Sequence, residues 1–114
     1  MIYAPHTWVV LKFTQLVPDI NEERSTYKVL AGWRGGYLDG DVWRMNSGIT
    51  KCVRDGLSFR FHGYSGSEYV CNKNYYGFSS LTSSIFNQLE KEQEQGNYTV
   101  EVVDDNSDWE NIEY

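Results

Sequence analysis

The chain has 114 residues, of which 40% are apolar and 16% aromatic, and a formal net charge of −6. That length fits one domain, and four Trp, nine Tyr and five Phe, each burying about 150–250 Å² when inside, supply enough ring area for a core and exclude a chain disordered throughout. No stretch approaches the roughly 18–20 apolar residues of a membrane helix, and Met1 to Thr7 lacks the pattern of a secretory leader, so the expectation is a cytoplasmic protein with no membrane partner.

Thr7 to Leu16 alternates Val9, Leu11 and Phe13 with Val10, Lys12 and Thr14, the period of a strand. Pro18-Asp19 opens a polar loop that continues through Asn21-Glu22-Glu23-Arg24, Tyr27 to Trp33 is a second strand, and Gly35-Gly36 permits a tight reversal. Asp39-Gly40-Asp41 is a turn, Val42 to Asn46 a short strand, and Ser47-Gly48 a bulge or bend before Ile49 to Arg54. Asp55-Gly56 is the clearest hairpin signal. Beyond it, Leu57, Phe59 and Phe61 take one face of a strand and Ser58, Arg60 and His62 the other. After Gly63-Tyr64-Ser65-Gly66, the stretch Ser67 to Asn72 sets Tyr69 and Cys71 opposite Val70. One segment has helical period: Leu81, Ile85, Phe86 and Leu89 share a face, Ser79 or Ser80 can cap it, and Gly96 can end it. Tyr98 to Val103 is the last strand.

The fold expected from this order is α+β: six or seven antiparallel strands bent by glycines, as an open sheet or a small barrel, with one helix packed on it. Residues 1–103 make this domain and 104–114 an acidic C-terminal tail. All six acids in excess fall after Val100 (Glu101, Asp104, Asp105, Asp108, Glu110, Glu113), whereas residues 24–73 hold eight bases against four acids. A segregated chain of this kind suggests an interaction tail or an anionic ligand.

Catalytic chemistry finds little support. Ser65 and Ser67 lie between strands rather than at a strand-to-helix elbow, and neither His6 nor His62 belongs to a nucleophile motif. His6, His62, Cys52 and Cys71 lack zinc-ligand spacing, Asp39-Gly40-Asp41 lacks the rest of a calcium loop, and no cofactor or metal is expected. The two cysteines read as free thiols in a reducing compartment. A binding surface is better supported. Trp33, Arg34, Tyr37, Trp43, Arg44, Arg60 and Tyr64 combine guanidinium groups with ring faces, the chemistry that holds a nucleotide-like anion. The plain alternative is that these tryptophans are core and these arginines solvated. The acidic balance speaks against duplex DNA. In the tail, Asp105, Asp108, Trp109, Glu110, Ile112 and Tyr114 interleave acids with apolar anchors, a composition suited to a protein partner's basic groove. Exposed sheet edges are compatible with a homodimer.

Trp43-Arg44-Met45-Asn46-Ser47-Gly48-Ile49, followed by Gly63-Tyr64-Ser65-Gly66-Ser67-Glu68-Tyr69, resembles stretches of small uncharacterised proteins of tailed phages, including cyanophages. The resemblance covers about the central half of the chain, has no activity attached to it and transfers no site residue. It implies a small virus-encoded accessory or inhibitory protein that engages a host macromolecule in the host cytoplasm. Sequestration of a nucleotide-like anion is the alternative, and a small hydrolase the second.

Overall fold

The computed structural model describes residues 1–17, 22–35, 40–93, 95–96 and 98–114. The strands among them are β1 (Ile2–Tyr3), β2 (Thr7–Val17), β3 (Glu22–Trp33), β4 (Val42–Met45), β5 (Ile49–Asp55), β6 (Ser58–Gly63), β7 (Glu68–Asn72) and β8 (Tyr98–Val102), with one α-helix, α1 (Ser80–Glu92), before the last. They form two four-stranded sheets, ordered β1-β7-β6-β5 and β4-β3-β2-β8, and among the described residues these do not close into a barrel. The fold is therefore α+β, with two open sheets in place of one.

The middle of the second sheet is apolar on both sides, and that decides the layering. Trp8, Val9, Val10 and Leu11 on β2, and Val29, Leu30 and Ala31 on β3, are each exposed by 1% or less. Alternate residues of a strand point to opposite faces, so both faces are covered. Trp8, Val10, Val29 and Ala31 meet Ile49, Cys52, Phe61, Tyr69 and Cys71 of the first sheet. Val9, Leu11, Leu30 and Val100 meet Ile85, Phe86 and Leu89 of α1. The order is sheet, sheet, helix.

The hairpin at Asp55 is as expected, with Asp55 opposite Ser58 and Gly56 at φ 61°. Ser79 caps α1 in a reciprocal box: its Oγ accepts from Thr82 N–H (3.1 Å) and its own N–H donates to Thr82 Oγ1 (2.8 Å). The helix stops at Glu92, short of Gly96, and the amides of Gln95 and Gly96 close on the Glu92 carbonyl. Its first turn seats on Gly32, where a Cβ would stand 3.0 Å from both Thr7 Oγ1 and Thr82 Cγ2. A side chain there would push the helix off the sheet.

Three expectations need correction. Glu22 to Arg24, expected in the loop opened by Pro18-Asp19, belongs to β3, where pairing with Val17 to Gln15 of β2 holds a polar stretch extended. The sheets are not wholly antiparallel: β1 pairs parallel with β7, Ile2 opposite Glu68 and Tyr3 opposite Tyr69. Two residues carry no readable period, so this strand has no signature in the sequence. The segment 104–114 is also not a separate tail. Trp109 is 2% exposed in the inter-sheet core, and Ile112 and Tyr114 pack against that core. The Trp109 indole meets Trp8 and Tyr76 at 5.7 Å and Phe61 at 5.8 Å between ring centroids. Magnitudes explain the outcome. Burying an indole contributes about 4–6 kcal/mol at roughly 25 cal/mol/Å², whereas repulsion between exposed like charges costs only a few tenths per pair, about 0.2–0.5 kcal/mol. Rings outweigh acids here.

Candidate functional site

The residues expected to form one pocket of rings and arginines are distributed over the molecule. On β4, Arg44 sits opposite Ala31 and faces the first sheet, with its guanidinium 4.5 Å above the Tyr3 ring. Tyr3 in turn meets Trp33 at 6.2 Å and Tyr69 at 5.0 Å, and Trp33 Nε1 donates to the Ala4 carbonyl at 3.0 Å. Trp33 and Arg44 thus pin β1 onto the body. Burial pushes the Tyr69 hydroxyl up to about 12, with Arg44 opposing and Tyr3 and Cys71 adding to it.

Trp43, opposite Gly32, lies on the helix-facing side and is 42% exposed. Arg60 lies on the outer face of the first sheet, bonded to Asp55 (2.9 Å) and Glu68 (3.1 Å). Those bonds raise its pKa, the Asp55 hydrogen bond contributing most. Tyr64 is exposed in the turn after β6, its ring against Gly48. Tyr37 lies outside the described residues.

Arg34 reaches a concavity. A groove of about 680 Å³ runs between the β1–β2 connection with the end of β3 on one side and the β7–α1 connection on the other. Arg34 and His6 line it together with Tyr75, Tyr76 and Phe78. The Arg34 amide donates to His6 Nδ1 at 2.9 Å, so a neutral His6 holds its own proton on Nε2 as a donor. Among the described residues no carboxylate lies within ion-pair distance of the Arg34 guanidinium, and no Asp or Glu lines the groove.

Tyr76 is anchored to the body of the protein. The Tyr76 hydroxyl accepts from Val10 N–H (3.1 Å) and donates to the Val103 carbonyl (2.6 Å). Burial pushes that hydroxyl up to about 12, opposed by the Val10 amide and reinforced by Asp105 and Asp104. Trp8 Nε1 fixes the end of β7 through the Asn72 carbonyl at 2.7 Å. His6 has a place in the sequence only as a weak zinc candidate, and Tyr75 and Phe78 have none. They sit in connections without period, so proximity to Arg34 is created by the chain crossing from one sheet to the other.

The other candidate side chains have partners of their own or are buried. His62 Nε2 is 3.3 Å from Glu68 Oε1, while the Ser65 amide bonds Ser47 Oγ at 3.0 Å. Cys52 and Cys71 are buried free thiols. Burial, aided by Glu110, pushes Cys52 up to about 12, and burial beside Cys52 pushes Cys71 up as well. Neither is a thiolate near neutral pH, the form that attacks carbon or binds metal. Among the described residues no three His, Cys, Asp or Glu side chains group to hold a metal ion, and no helix is long and apolar enough to cross a membrane.

In the C-terminal segment, Asp105, Asp108 and Glu110 are exposed. Trp109 is buried, and Ile112 and Tyr114 are half-buried, with the Tyr114 hydroxyl donating to the Trp109 carbonyl. The apolar anchors are engaged within the chain, which leaves only the acids of this set facing outward. Comparison with protein-family models, with curated proteins and with solved structures finds no match.

Proposed function

We propose that this protein is a non-enzymatic binding protein that takes a nucleotide-like anion in the groove beside Arg34. The observation that carries the reading is a shared lining: Arg34 and His6, joined by a 2.9 Å hydrogen bond from the Arg34 amide, line one groove with Tyr75, Tyr76 and Phe78. A guanidinium with no carboxylate in ion-pair distance among the described residues offers a fork for phosphate or carboxylate oxygens. Aromatic side chains lining the same groove suit a flat base. The groove's size falls in the range of about 300–1,000 Å³ usual for small-ligand sites.

A thermal-shift and calorimetric series with mononucleotides and cyclic nucleotides tests this reading. Binding is expected to raise the melting point by mass action, and Arg34→Ala is expected to abolish the shift while Arg44→Ala and Arg60→Ala retain it. A shift that survives Arg34→Ala, or none with any nucleotide, rejects it.

A second reading, docking on a basic protein partner, is favoured by the order of the acidic segment. Asp104 accepts from the Asn106 amide (2.8 Å), and Asp108 accepts from Asn111 Nδ2 (2.6 Å), so the acids are presented on fixed turns above a buried Trp109. Co-purification of a partner that is lost in Asp105→Asn/Asp108→Asn/Glu110→Gln supports it. The origin as a small phage-encoded accessory or inhibitory protein rests on the sequence resemblance alone and fits either reading.

A further inference from the structure

β3 is twelve residues long, but β4 covers only its last four, Leu30 to Trp33. Asn46 extends the cover by one residue, through its amide to the Val29 carbonyl (3.1 Å) and its Oδ1 from the Val29 amide (2.8 Å). From Glu22 to Lys28 no described strand lies on that side, while β2 pairs with the other. Bonding groups alternate in direction along a strand. Since those of Val29 point to the open side, those of Tyr27, Ser25 and Glu23 do too. Among the described residues this is an edge with a repeating row of unpaired donors and acceptors, flanked at Thr26 by Gly48 and the Tyr64 ring, and such an edge templates another strand.

The residues on the edge say which strand. Glu22-Glu23-Arg24-Ser25-Thr26-Tyr27-Lys28 carries two acids and two bases in a chain of net charge −6. An antiparallel copy of the same segment, centred on Ser25, sets Ser25 against Ser25, Glu23 against Tyr27, Arg24 against Thr26 and Glu22 against Lys28. Symmetry makes the last pair twice. The neighbouring registers that keep the bonding groups facing are worse. One sets Arg24 against Arg24, and the other sets Arg24 against Lys28, and like charges directly opposite destabilise a ladder. Of these three registers, only the one centred on Ser25 sets opposite charges against each other.

We propose that a second copy of this chain docks there, joining the two four-stranded sheets that contain β3 into one continuous sheet across a twofold axis. The interface is independent of the groove at Arg34. Sedimentation equilibrium over a concentration series tests it with Glu22→Lys, a change at an exposed position that places an ammonium group directly opposite Lys28 on both sides of the axis. Wild type is expected to dimerise, and Glu22→Lys to weaken the dimer about tenfold or more. The double variant Glu22→Lys/Lys28→Glu, which restores opposite charges, is expected to recover it. A wild-type chain that keeps the mass of one copy at every concentration overturns the proposal, as does a dimer indifferent to Glu22→Lys or a double variant that stays as weak as the single. Capture of an unrelated extended peptide on this edge with no self-association overturns it equally.

Discussion

Asn46 does at the corner between the sheets what a further residue of β4 would otherwise do. Its side chain is 5% exposed, and its Oδ1 accepts the Val29 amide at 2.8 Å while the main chain turns away toward β5. Asn46→Leu keeps the volume and removes the acceptor. The buried Val29 N–H then loses its partner, and a loss of about 1–3 kcal/mol is expected in denaturant unfolding. Nothing in the sequence distinguishes this asparagine from a turn residue, because its partner lies seventeen positions away on another strand. The ring hydroxyls carry a second prediction. Tyr69 and Tyr76 are raised from 10.0 to about 12, and Cys52 from 9.0 to about 12, chiefly by burial. The unfolded chain releases these protons at the ordinary values, so above them the folded state binds more protons than the unfolded one. Their contribution to stability is complete below about pH 9 and is lost as the pH rises toward about 12. Unfolding midpoints measured across that range are expected to fall, with phenolate absorbance of the buried rings appearing together with unfolding.

At the scale of elements, periodic segments were legible and connections were not. β2, the second half of β3, β6 and α1 announce themselves, since one-sided or two-sided burial writes its period into the residues; the exposed first half of β3 carries no such period and reads as loop. The Ser47-Gly48 bend was legible as a break, and the ladder does shift register between Ile49 and Lys51. What the glycine there accomplishes was not. Gly48 holds φ 140°, and a Cβ would stand 2.7 Å from the Tyr64 ring. Gly48→Ala is therefore expected to cost about 1–3 kcal/mol, from backbone strain and the displaced ring together. In Gly48→Ala/Tyr64→Ala the ring's share should be relieved and the backbone's share retained, a partition readable in a double-mutant cycle.

For the molecule as a whole, charge is a poor guide to which parts of the chain are structural. The acids after Val100 suggested an appendage, yet the rings among them complete the core: Trp109 closes an aromatic cluster with Trp8, Phe61 and Tyr76, and Tyr114 meets Tyr27 at 5.4 Å, edge to face. The candidate site was legible only at Arg34. Its companions His6, Tyr75 and Phe78 come from connections whose meeting depends on β1 turning parallel beside β7 and on the chain crossing between sheets. Long-range pairing of that kind leaves no local pattern. The most direct test of a C-terminal segment built into the core is the urea unfolding of Trp109→Ala beside wild type, followed by circular dichroism. A stability lower by about 3–5 kcal/mol, the cost of emptying a buried ring site, is the result expected; a midpoint within about 0.5 kcal/mol of wild type, the range of an exposed substitution, would contradict it.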